Sequence, residues 1–134
     1  MMLVLLLLPV GAMINREGIE TNVTVTVNDT SVLNCDVTGT PSPDVTWSRD
    51  SRPIDKVLHA NINILASGRQ LRIHSAAVTD AAVYRCLATN KAGQDHLDYH
   101  LAVHSEYLYV SLCLSGSLSV YAFFLTIFDF FDNL

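Results

Sequence analysis

Between Gln94 and Val103 polar and apolar residues alternate, so a strand there places His96, Asp98 and His100 on one outward face. Two imidazoles flanking a carboxylate could bind a metal ion or titrate near neutral pH. A solvated strand face has the same pattern, and that reading is preferred, with no metal site and no cofactor expected. Hydrolytic chemistry has even less support. An enzyme needs a nucleophile, a base and an orienting group in one cleft. The serines fall in turns or on outward strand positions, and neither a Gly-x-Ser-x-Gly nor a P-loop pattern occurs. The sulfurs are more informative. Cys35 and Cys86 are separated by about fifty residues, with Trp47 between them. That arrangement describes a bond joining two sheets with an indole packed against it. A disulfide facing an indole is shielded, so its role is structural and not redox.

The elements that must carry these residues follow from parity. Leu33, Cys35 and Val37 share one strand face, and Ala82, Tyr84, Cys86 and Ala88 share another. Val45 and Trp47 alternate with Thr46 and Ser48, which gives a third strand with the same apolar side. Three such strands define a sandwich interior. Tyr84 lies two residues before the second cysteine, where a phenol can enter the core while its hydroxyl returns to nearby backbone. Asp80 can cap the loop that enters that strand. Further strands are predicted over 21–27, 30–37, 44–49, 53–56, 61–65, 70–74, 82–89 and 94–103. Ser67-Gly68-Arg69 and Lys91-Ala92-Gly93 form hairpins, the second with a glycine able to take positive φ.

At this point the chain resembles an immunoglobulin domain of the I-set type. The resemblance rests on Leu33-x-Cys35, Gly39-Thr40-Pro41-x-Pro43, Val45-x-Trp47 and Leu71-x-Ile73, with Asp80-x-Ala82-x-Tyr84-x-Cys86 and Ala88-x-Asn90-x-Ala92-Gly93. It covers about residues 17–104 and is similar to repeated domains of hemicentin-like matrix proteins and neural adhesion receptors. It implies an all-β, two-sheet antiparallel Greek-key sandwich over 15–104, with Cys35 bonded to Cys86 and a core built on Trp47, Tyr84, Leu33 and Leu71. One departure is Ser51, in a turn where glycine is usual. The short stretch between Lys56 and Asn61 leaves no room for the two extra strands of a variable-type domain.

Length and charge agree with this reading. A chain of 134 residues holds one ordinary domain. The net charge of −5, with scattered basic residues, gives no footprint for nucleic acid. A structural disulfide needs an oxidising compartment, so the expected location is extracellular, secreted or at the plasma-membrane surface. Asn22-Val23-Thr24 and Asn28-Asp29-Thr30 are N-glycosylation patterns, with Asn22 on an outward strand position and Asn28 at a turn.

Both ends are hydrophobic. Residues 1–12 read either as a signal peptide cut after Ala12 or as the edge of a fragmentary gene model, and Asn15–Glu20 as an entering linker or first strand. Residues 107–128 are free of charge and long enough to span a bilayer as a helix. They are diluted by serines and lack a basic flank, so a membrane anchor and a non-native tail are both open, with a processed lipid-anchor signal less favoured because no polar spacer is evident. Cys113 is the odd cysteine, either unpaired or awaiting a partner chain.

Binding is then the expected activity. The sheet holding the third, sixth and seventh strands of the sandwich is expected to expose Thr46, Ser48, Arg85, Leu87, Thr89, His96, Asp98 and His100, with Leu87 as its one large apolar member. The expected function is non-catalytic protein–protein contact with other extracellular or cell-surface proteins, homophilic or heterophilic, in adhesion or matrix. The alternatives are a single-pass membrane-anchored receptor-like ectodomain and an intracellular sarcomeric structural domain.

Overall fold

A computed structural model describes residues 8–55 and 58–105. The folded unit runs to Val103. The expected span 107–128, Cys113, most of the leader and Lys56 lie outside the described residues. Among the described residues there are ten strands: β1 (Val10–Ile14), β2 (Asn22–Thr26), β3 (Ser31–Asn34), β4 (Val37–Thr40), β5 (Asp44–Arg49), β6 (Arg52–Pro53), β7 (Ile62–Leu65), β8 (Gln70–Ile73), β9 (Ala82–Asn90) and β10 (Gly93–His104). One sheet has the order β2-β10-β9-β5-β6, a second β3-β8-β7, and β1 pairs with β4. Because β4 follows β3 after Cys35 and Asp36, the β1–β4 pair prolongs the edge of the three-stranded sheet.

Alternation accounts for the core. From Ser31 to Val37 every second residue is buried, and the parity continues across the break between β3 and β4. Leu33, Cys35 and Val37 face Tyr84, Cys86 and Ala88 of β9, with Leu97, Tyr99 and Leu101 of β10 in the same cluster. Leu71 and Ile73 of β8 complete it and are fully buried. The single strand expected over 30–37 is thus a strand that changes neighbour: β3 pairs with β8, and β4 pairs with β1.

The N-terminal edge differs from expectation. The first strand is Val10–Ile14, which puts Ala12 and Ile14 into the core, and Asn15–Glu20, expected as an entering linker or first strand, is a linker containing a turn. Cleavage after Ala12 would divide this strand. Besides its pairing with β4, β1 is tied down by Asn90. Its Oδ1 accepts from the Ala12, Ala92 and Gly93 N–H groups, and its Nδ2 donates to the Val10 and Pro41 carbonyls. One side chain thereby joins β1, the β4–β5 loop and the β9–β10 hairpin. Gly39 is required for the same packing, since a Cβ there would lie 2.9 Å from Asn90 Nδ2. Gly93 does not take positive φ. It lies beside Gly11 of β1, and a Cβ on Gly93 would sit at ordinary contact distance, 3.5 Å, from the Gly11 Cα. Asn90→Ala removes partners on three segments at once, and with a net value of about 0.5–1.5 kcal/mol per bond at a half-buried site it should cost about 2–3 kcal/mol in chemical denaturation.

The other short strands also differ slightly. β6 covers only Arg52–Pro53, because Pro53 has no N–H to extend the ladder and the edge ends there. Asp50 and Ser51 form the two-residue β5–β6 loop, with φ of 46° and 65°. Two positive φ values in a two-residue hairpin are a demand that glycine meets without strain and serine does not. The Asp50 side chain compensates in part by accepting from the Val83 N–H at 3.0 Å. Ser51→Gly should therefore raise stability by about 0.5–1 kcal/mol, measured as a higher denaturation midpoint at unchanged slope.

Candidate protein-binding face and its supports

Beneath the face lies the pin. Cys35 and Cys86 are bonded, with Cα atoms 6.4 Å apart and both residues wholly buried. Trp47 is opposite Cys86 in the β5–β9 register. Its indole N–H crosses the sandwich to the Gly68 carbonyl at 2.6 Å, and its ring stacks with Tyr99 at 6.3 Å between centroids. Gly68 has φ of 89°, and a Cβ there would meet the Val45 carbonyl at 2.8 Å, so glycine is needed twice over. The Tyr99 hydroxyl donates to the Asn34 carbonyl at 2.5 Å.

The corner before β9 behaves as the residue types imply. The Tyr84 hydroxyl donates to the Asp80 carbonyl at 2.8 Å, and burial pushes its phenol up to about 12. The buried Asp80 carboxylate accepts from the Ala77 N–H at 2.9 Å and from Asn61 Nδ2 at 2.8 Å. Arg49 lies 5.9 Å from the Tyr84 ring centroid and donates to the Thr79 carbonyl.

Above these supports, strand register sorts the expected face into rows. Thr46, Leu87 and His96 form one row, and Ser48, Arg85 and Asp98 the next. His100 follows, beside Val83. Thr46, Arg85, His96 and His100 are exposed, whereas Ser48, Leu87 and Asp98 are half-buried. Leu87 is therefore only partly open on this face rather than the fully exposed apolar centre expected of it. The Arg85 guanidinium grips both Asp98 oxygens, Nε to Oδ1 at 2.6 Å and Nη2 to Oδ2 at 2.8 Å. That hydrogen bond holds the Asp98 carboxyl below its usual range, while partial burial opposes it. With both oxygens engaged, Asp98 is poorly placed to ligate a metal between His96 and His100. Among the described residues no group of three His, Cys, Asp or Glu side chains is set to hold a metal ion.

A second carboxylate–guanidinium fork fastens β1 to β10 and had no role assigned from sequence. Arg16 Nη1 and Nη2 donate to Asp95 at 2.9 and 2.7 Å, and Asp95 also accepts from the Ile14 and His96 N–H groups. The Arg16 hydrogen bond pulls the Asp95 carboxyl far below the ordinary range, against partial burial and with help from the Ile14 and His96 N–H groups. A depressed folded pKa means stability that is present above the unfolded value, about 4, and is lost as pH falls through the folded value. Stability should therefore drop on acidification below about pH 4. Asp95→Asn should flatten that acid limb in titrated thermal melts. Arg16 is half exposed, so solvent screening keeps the effect modest.

Asn22 and Asn28 are both exposed, as are Thr24 and Thr30 of their patterns. Asn28 sits in a turn with φ of 73°, its N–H bonded to the Ala76 carbonyl at 2.8 Å.

Compared with known proteins, residues 16–103 match the model of a family described as the immunoglobulin I-set domain. The chain belongs to the immunoglobulin I-set family. Hemicentin-1 of Mus musculus is 41% identical over 107 residues, covering 80% of this chain and 2% of its own length. Sidekick-1 of Gallus gallus is 39% identical over 66 residues, covering 49% of this chain and 3% of its own length. The chain thus spans only a few per cent of these relatives. Among solved structures, the titin M3 domain superposes with a TM-score of 0.62 at 28% identity, covering 71% of this chain and 98% of the titin domain. The I-set sandwich is therefore established by sequence and by shape. Among the described residues no helix is long and apolar enough to cross a membrane.

Proposed function

We propose that this I-set domain is a non-catalytic extracellular interaction module of adhesion or matrix type, acting in series with similar domains and binding protein partners through the outer face of β5, β9 and β10. The observation that carries the reading is the buried Cys35–Cys86 bond in a chain akin to hemicentin-1. Such a bond persists in oxidising compartments and is rare in the cytosol. It counts against the intracellular sarcomeric alternative, although a titin domain shares the fold. The contact residues would be Thr46, Ser48, Arg85, Leu87, His96, Asp98 and His100. The paired Arg85 and Asp98 offer a preorganised polar centre, with the half-shielded Leu87 beside it. A second reading, a membrane-anchored ectodomain held by residues 107–128, rests on that charge-free run. Both place the domain outside the cell.

The test displays the secreted full chain multivalently against cell-surface and matrix proteins, including itself. Thr46→Arg and His96→Glu should abolish whatever interaction is found, whereas Val32→Glu on the opposite layer should leave it intact. Binding that survives both face substitutions overturns the assignment of the face.

A further inference from the structure

The Asn22-Val23-Thr24 pattern and the binding face occupy the same surface. In the five-stranded sheet β2 is the immediate neighbour of β10. The His100 N–H donates to the Thr21 carbonyl at 2.7 Å, which brings the start of β2 level with His100. The next residue is Asn22. Val23 and Val25 turn inward and pack on the core, so Asn22 and Thr24 stand on the outer side of that sheet. His96 and His100 are exposed on the same side. The acceptor amide and the threonine hydroxyl of the pattern are thus both accessible, one strand away from the end of the contact surface. Asn28 differs: it lies in the turn after β2, beside the loop that follows β8.

We propose that Asn22 is an N-glycan acceptor on the binding face itself, and that its occupancy decides whether the His96–Asp98–His100 end of the face is open to a protein partner. A glycan is bulky and strongly hydrated. Rooted on β2 next to His100, it sweeps the space a partner needs in order to reach β10. It also covers the outer edge of β2, which is the edge strand of that sheet among the described residues and so a place for strand addition. The gating role rests on the face proposed above, whereas occupancy of Asn22 does not.

The experiment uses the full chain secreted from a glycosylating cell. Peptide mapping after enzymatic glycan release should show Asn22 converted to aspartate. A single-domain antibody is then selected on the enzymatically deglycosylated chain and mapped to the face by loss of binding to Thr46→Arg. It should bind the sugar-bearing chain at least about tenfold more weakly. Asn22→Gln should restore binding, and Asn28→Gln should not. An unmodified Asn22 in the secreted chain, or equal antibody affinity with and without the Asn22 sugar, overturns the proposal. Neither result touches the choice of face for natural partners, which is decided by the Thr46→Arg and His96→Glu variants.

Discussion

Replacing Cys35 and Cys86 together by alanine should lower the unfolding free energy by about 4 kcal/mol. The bond closes a loop of 51 residues, and the chain-entropy relation for a loop of that length gives about 4 kcal/mol from the restricted unfolded ensemble. Both sulfurs are wholly buried, so alanine also leaves small voids where two side chains met. Domains of this size are held by about 5–15 kcal/mol in total, so the double variant should be close to its folding limit at body temperature. Guanidinium titration followed by circular dichroism would measure the loss. A decrease below about 1 kcal/mol would mean that the link contributes little beyond what packing already supplies.

Trp47→Ala should cost about as much, roughly 3–5 kcal/mol, because a large buried ring is exchanged for a methyl group. Three connections are lost together: packing in the core cluster with the disulfide, stacking with Tyr99, and the hydrogen bond across the sandwich to Gly68. Trp47→Phe separates these contributions. It keeps most of the apolar contact but leaves the Gly68 carbonyl without its donor, an expected loss of about 1–2 kcal/mol. Gly68→Ala should converge on the same defect from the opposite side, since its Cβ would press on Val45 and displace the acceptor. If Trp47→Phe proves as damaging as Trp47→Ala, the hydrogen bond and not the packing dominates.

Sequence made the sandwich interior legible because its strands bury one face each. Period-two alternation identified Leu33, Cys35, Val37, Trp47, Tyr84 and Cys86 as core, and all are buried. The β1 strand was hidden for a physical reason. Val10-Gly11-Ala12-Met13-Ile14 continues an apolar run and its small residues fit a cleavage pattern, so nothing in its local sequence marks it as a strand that packs beside the β9–β10 hairpin. Asn90 was visible as part of a family motif, but its role could not be read from spacing. Its partners Val10, Ala12 and Pro41 lie 49 to 80 positions away. The Arg16–Asp95 fork is equally remote, 79 positions apart. Parity puts the residues proposed as a contact face on one sheet, but parity alone does not tell that Leu87 is half-buried or that Asn22 lies on that surface. Those facts depend on which strands become neighbours.

The most direct measurement is a non-reducing tryptic map of the secreted full chain after glycan release. Cys35 falls in the peptide Glu17–Arg49 and Cys86 in the peptide Cys86–Lys91. A stapled extracellular I-set module predicts these two peptides as one species that separates only on reduction. Recovery of both cysteines as free thiols, alkylated in the native chain before any reductant is added, would contradict both the cross-linked sandwich and its place outside the cell.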